Sequence, residues 1–162
     1  MTATENTWKA LGQMHELVKL ADTKAGLVLA ASGVLAGILT RLATSPGLWT
    51  TNRAQAVLIL LGLVLVLLST LFALRVFIPR TNLPGARSLL NFDNVAARFD
   101  DPDDFSRASR QLFTHEEQMQ RALAEQVWAT SRIARRKFRI VTPAIWLFGS
   151  GVVVTLSAAL FA

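Results

Sequence analysis

Residues 16–39 read ELVKLADTKAGLVLAASGVLAGIL, and the rest of the chain is organised around them. The first nine positions carry Glu16, Lys19, Asp22 and Lys24; from Ala25 to Thr40 there is no charge at all. No proline interrupts the change. A helix satisfies its own main-chain hydrogen bonds and can therefore pass from water into lipid, whereas an open loop cannot. One helix is expected to begin in water and continue into a bilayer, with its polar-to-apolar seam at Ala21–Gly26.

Two other segments are equally apolar. Ala54–Leu74 is uncharged and rich in Leu and Val, and Ile140–Ala162 is uncharged as well. A helix needs about 20 mostly apolar residues to cross a membrane, and the first span reaches that length because Arg41 can snorkel to the interface. Hydrophobic residues make up 52% of the 162 positions and are gathered in these blocks. The fold class expected is an all-α membrane protein with three transmembrane helices and a cytoplasmic helical region. The expected order is an amphipathic helix over 1–24, a first span over 25–43, an external hairpin over 44–53 and a second span over 54–78. A helical region over 79–139 and a third span over 140–162 follow. What lies outside the spans is too small for a separate large catalytic domain.

Charge sets the orientation. Twelve of the seventeen basic residues lie between Leu74 and Ile140, and only Arg41 and Arg53 lie between the first two spans. The positive-inside bias places the long connection and the N-terminus of this multi-pass chain in the cytoplasm. The net charge of +6 is thus a topological signal before it is a sign of nucleic acid, which is not expected as a partner. The apolar run starts too late, behind a mixed-charge helix, for a secretory signal. With no cysteine there is neither a disulfide framework nor a thiolate metal site.

Within the first span Gly26, Ala30, Gly33 and Gly37 recur every three or four residues. Small residues let a second transmembrane backbone approach closely, so this stripe is expected to pack on the second span or to make a homo-oligomer. The second span shows little small-residue patterning and is expected to face lipid over a wide arc. Ser45-Pro46-Gly47 forms a turn, Trp49 sits where an interfacial anchor belongs, and Pro79, Asn82, Pro84 and Gly85 end the second helix.

Outside the spans, Thr7 is a candidate N-cap, and Trp8, Leu11, His15, Val18 and Asp22 share one helical stripe. Ser88–Ala97 reads as a short amphipathic turn. Asp100, Asp101, Asp103 and Asp104 surround Pro102, a pattern that starts a helix at Asp101 or Pro102. Without an EF-hand glycine or a closing Glu, it is not read as a metal site. Thr114-His115-Glu116-Glu117 matches a capping box. A long helix should follow, with Met119, Ala122, Leu123, Val127, Thr130, Ala134 and Phe138 on one side, and with Pro143 in the first turns of the third span.

No catalytic constellation is present, and an enzyme is not expected. His15 and His115 lack ligand spacing, no phosphate loop or nucleophile elbow occurs, and the span cores carry no ionisable relay. The densest basic cluster is Arg132, Arg135, Arg136, Lys137 and Arg139. It reads either as a topology anchor touching anionic lipid or as a phosphate site, because arginine binds phosphate oxygens in pairs. Lys24 belongs at a similar depth, so Lys24, Arg132, Arg135, Arg136 and Lys137 are the candidate ligand-binding residues. Asp22 and Lys24 are alternatively partners in a lock between helices.

The stretch Lys19-Leu20-Ala21-Asp22-Thr23-Lys24-Ala25 ahead of the first span resembles a motif of the Pycsar transmembrane effector family. Leu74-Arg75-Val76-Phe77-Ile78-Pro79-Arg80 resembles the family's exit from the second span. Glu125-Gln126-Val127-Trp128 and Ile133-Ala134-Arg135-Arg136-Lys137-Phe138-Arg139 are similar to its approach to the third. The likeness runs from about Trp8 onward. Two departures are Asn91-Phe92-Asp93-Asn94-Val95-Ala96, where the family often has an aromatic, glycine-containing run, and Trp128, where it has tyrosine.

The resemblance implies an anti-phage role beside a partner cyclase that makes cyclic CMP or cyclic UMP. Such an effector responds to the messenger and impairs the inner membrane, causing abortive infection. The expected partners are the lipid bilayer, a cyclic pyrimidine nucleotide and a homo-oligomer; no cofactor is expected. The alternative is a membrane-anchored helical scaffold that recruits a soluble partner through residues 101–139.

Overall fold

The computed structural model describes residues 3–48, 52–78, 89–90 and 92–161. Helix α1 spans Ala3–Ala43, α2 Arg53–Phe77, α3 Phe92–Arg98, α4 Pro102–Thr114 and α5 Glu116–Ala158, with a 3-10 turn over Ala159–Phe161. No strand occurs among the described residues. Three helices, α1, α2 and α5, are long and apolar enough to cross a membrane.

Helix α1 has 41 residues and α5 has 43. At about 1.5 Å per residue each is roughly twice as long as a hydrocarbon core is thick. The passage from charge to apolarity at Ala21–Gly26 lies inside α1 with no break. Pro143 is inside α5, which continues through it although proline removes one main-chain donor.

Two compact bodies share these helices. The first joins Met1–Lys19 with Pro79–Arg136. Its buried residues include Leu11 on α1, Leu112 on α4, and Ala122, Leu123, Ala129, Thr130 and Ala134 on α5. This is the side of α5 that helical spacing picks out. The starts of α1 and α5 lie side by side. The Thr4 hydroxyl donates to the Glu116 carboxylate at 3.3 Å and accepts from the Gln120 amide at 3.4 Å.

Local signals in this body are partly re-used. Asp101 caps α4, its carboxylate accepting from the Asp103 N–H at 3.0 Å with Pro102 in the first turn, as expected. Asp104 pairs with Arg107 one turn on. The capping box does not form. The Thr114 hydroxyl turns back to the carbonyls of Arg110 and Gln111, closing α4. The His115 carbonyl instead takes the first bond of α5, from the Met119 N–H at 3.0 Å. Thr7 is likewise interior to α1, where it bonds back to the Ala3 carbonyl. A helix that starts four residues earlier than its candidate cap leaves that hydroxyl no free N–H to accept from.

The second body joins Leu20–Ile78 with Lys137–Ala162. Three buried clusters stack along it: Ala25, Val76 and Val141; then Val28, Ala73 and Ala144; then Leu39, Ile59, Val66 and Ala158. Residue numbers rise together along α1 and α5 and fall along α2, so α1 and α5 run parallel here and α2 runs against both. The expected turn at Ser45-Pro46-Gly47 is present, with Gly47 at a φ of 87°. Trp49, Ser88, Asn91 and the Pro79–Gly85 terminator fall outside the described residues.

The small residues that bring helices together are not the expected ones. Ala56, Ile59, Gly62, Val66, Ser69, Ala73 and Val76 form the buried face of α2, so this helix does carry a small-residue pattern. A Cβ on Gly62 would stand 2.7 Å from the Thr155 hydroxyl, and one on Gly151 2.9 Å from the Val66 side chain. The α2–α5 crossing is therefore close enough to require glycine on both sides. On α1 a Cβ at Gly26 would just reach Phe77, at 4.0 Å, whereas Gly33 and Gly37 meet nothing within 4 Å and Ala30 is exposed. Ser69 fastens the same crossing, its buried hydroxyl donating to the Ala144 carbonyl at 2.7 Å. Ser32 is equally buried, and its hydroxyl has no partner among the described residues.

Gly62→Leu or Gly151→Leu should lower stability in detergent micelles by about 1–3 kcal/mol through overpacking. Gly33→Leu should change it by less than about 0.5 kcal/mol. Ser69→Ala should cost about 0.6–1 kcal/mol, and Ser32→Ala should be neutral or stabilising. Denaturant unfolding of the five variants checks both contrasts.

Candidate functional site

The site is built at the seam of α1. Asp22 and Lys24 are its last charged residues before the apolar run, and Ala25 belongs to the first buried cluster of the second body. On α5 the same level is occupied by Lys137, Phe138 and, one turn on, Val141. On α2 it is Arg75 beside Val76. The three spans thus meet in the Ala25–Val76–Val141 cluster, against which Phe138 and Ile140 also pack.

Lys137 crosses from α5 to α1. Its ammonium donates to both Asp22 carboxylate oxygens, at 2.5 and 2.8 Å. The side chains keep only 22% and 35% of their exposure, unlike Lys19–Glu16 at 73% and 71%. The Lys24 ammonium lies 5.7 Å from the centre of the Phe138 ring, a cation–π contact that lays this side chain across α5. Both contacts join residues more than a hundred positions apart, so no local pattern could assign them.

The five candidate ligand-binding residues divide between the bodies. Arg132, Arg135 and Arg136 belong to the first, and Lys24 and Lys137 to the second. Arg132 stacks over the exposed Trp128 ring at 5.1 Å, while Arg135 and Arg136 are exposed. In the second body Lys24 and Lys137 are brought to one level, while Arg75 and Arg139 are exposed neighbours in the chain of Val76 and Ile140. Arg75 carries no signal in the sequence beyond its position at the end of a span. Ala30, Gly33 and Gly37 line an open face of the first span, away from this site.

A family profile for the Pycsar effector protein domain matches residues 6–162. The chain belongs to that family. Among curated proteins, the Pycsar effector protein PtPycTM of Propioniciclava tarda is 30% identical over 147 residues, covering 85% of this chain and 69% of its own length. The Pycsar effector protein MePycTM of Micromonospora echinofusca is 49% identical over 49 residues, which is 30% of this chain and 83% of that protein. No solved structure matches. Membership agrees with the three apolar helices in making the chain a membrane protein of antiviral defence, and with the motifs at Lys19–Ala25 and Ile133–Arg139.

A double-mutant cycle on Asp22→Asn and Lys137→Met should give a coupling of about 1 kcal/mol, since partial exposure keeps the pair well below a fully buried one. The coupling should largely survive 0.5 M salt. The cycle on Glu16 and Lys19 should give about 0.3 kcal/mol and lose it to screening. Equal values for the two cycles would show that the seam pair is an ordinary surface contact.

Proposed function

We propose that this Pycsar effector is a ligand-gated membrane-disrupting protein. It responds to a cyclic pyrimidine nucleotide, cyclic CMP or cyclic UMP, made by a partner cyclase, and it impairs the integrity of the inner membrane so that the infected cell stops growing. The observation that carries the reading is the seam. Two helices, α1 and α5, each continue from a charged segment into an apolar span, and they are tied to one another by Asp22 and Lys137 where the character changes. A messenger that binds one arrangement of the charged segments better than another shifts the population of span arrangements. On this reading the N-terminal segment and residues 79–139 are cytoplasmic, as the basic residues direct.

The executing form is an assembly of copies. Ala30, Gly33 and Gly37 offer a small-residue face that nothing among the described residues covers, and such faces associate in lipid by close packing.

Liposomes carrying the full chain, loaded with a self-quenched dye, test the response. Release should follow cyclic CMP or cyclic UMP and not cyclic AMP or cyclic GMP. Silence with all four, from correctly inserted protein, would favour a membrane scaffold acting through residues 101–139. In cells, Gly33→Leu with Gly37→Leu should abolish messenger-dependent growth arrest while leaving insertion intact. Full toxicity of that double variant would rule out this face as the working surface.

A further inference from the structure

The membrane body has a one-sided ionic composition. Across Leu20–Ile78 and Lys137–Ala162 the basic side chains are Lys24, Arg41, Arg53, Arg75, Lys137 and Arg139, and the one acidic side chain is Asp22. Arg41 and Arg53 flank the short hairpin at the far end. The other four cations come from all three spans and are chain neighbours of residues in, or packed against, the cluster Ala25–Val76–Val141. Four positive charges against one negative charge at this end of the body attract an anion. One carboxylate serves them, and it is placed on the most buried of the cations, Lys137, with both oxygens bonded to the same ammonium.

That geometry describes a ligand class. Two equivalent oxygens sharing one negative charge are what a carboxylate presents, and a phosphodiester presents the same. We propose that Lys137, with Lys24 on the adjoining Phe138 ring, is a phosphodiester-binding site in which Asp22 is the resident stand-in. Asp22 takes two of the three donors of the Lys137 ammonium, so a phosphodiester that binds it through both oxygens must release Asp22. Release of Asp22 removes the ion pair that joins α1 to α5 at the seam, so filling the site and loosening the joint are one event. Asp22 also sets the affinity. While it holds Lys137 the competent state is a minor one, and the apparent affinity falls by that fraction. Without the carboxylate the four cations would take any anionic headgroup that came near.

Cyclic nucleotides and phosphatidylglycerol headgroups are both phosphodiester monoanions, so either can be the occupant. Only the first choice rests on the function proposed above. The test is binding to the full chain in uncharged detergent micelles, with cyclic CMP, cyclic UMP and short-chain phosphatidylglycerol as probes and phosphatidylcholine as the zwitterionic control. Asp22→Asn should bind the cognate probe about tenfold tighter than the wild type, because the competitor is gone. Lys137→Met should bind it at least tenfold weaker, and Lys137→Arg should retain binding, since guanidinium also chelates phosphate. Should Asp22→Asn fail to fold, the Met and Arg variants at position 137 decide the matter between them.

Tighter binding confined to a cyclic nucleotide identifies the messenger site. Tighter binding confined to phosphatidylglycerol identifies a lipid site, and the messenger reading then stands or falls on dye release alone. Asp22→Asn binding no tighter, Lys137→Met binding as well as the wild type, or no binding of any anionic probe by any variant overturns the proposal, whatever the liposomes report.

Discussion

Lipid offers a main-chain N–H or C=O nothing to bond to, so a chain that enters it must carry its own partners. Most of what is seen here follows from that constraint. The three apolar segments are helices because no other open structure closes every main-chain bond within itself. The two that border the charged regions are not separate spans joined by loops. They are single helices of 41 and 43 residues that serve water at one end and an apolar environment at the other. The seam at Ala21–Gly26 has no break because a break there would expose unpaired main-chain groups at the membrane surface.

Between apolar helices the hydrophobic effect has little to offer, since a lipid tail is as good a neighbour as a leucine. Contact must then come from close approach and from polar groups that prefer each other to hydrocarbon. The α2–α5 crossing uses both. Gly62 and Gly151 bring the backbones together, and Ser69 reaches the Ala144 carbonyl across the gap. The large residues of α2, Leu60, Leu61, Leu67 and Leu71 among them, are left on the outside. The interior is lined by the smaller half of the helix, the reverse of a water-soluble protein.

Much of the fold was legible because its signals are long and periodic. The three spans, the helix start at Asp101–Pro102, the turn at Gly47 and the buried side of α5 through Ala122, Leu123, Thr130 and Ala134 all follow from spacing. The small-residue face of α2 was not legible. The stripe of Gly26, Ala30, Gly33 and Gly37 is the more conspicuous pattern. The packing stripe of α2 mixes Ala, Ile, Gly, Val and Ser at intervals of three and four, so its small members are diluted by large ones. Thr114 satisfies the capping consensus yet closes the helix before it, because a hydroxyl bonds backward as easily as forward when both neighbours are helical. At the seam, Asp22, Lys24 and Lys137 could each be named as candidates. Their contacts could not be read, because a bond between positions 115 apart has no local trace. The division of Arg132, Arg135 and Arg136 from Lys137 is also invisible in a run of basic residues on one continuous helix.

The distance along the chain between Asp22 and Lys137 also has a meaning in time. At about 5–20 residues per second, a ribosome adds the intervening 115 positions in roughly 6–23 seconds. Before Lys137 is made the first two spans have been synthesised, with Gly62 and Ser69 still awaiting α5 and Asp22 without its lysine. The nascent chain therefore passes through a stage in which the joint is unfastened by default. Its fastening waits until the stretch of α5 that leads into the third span has been made.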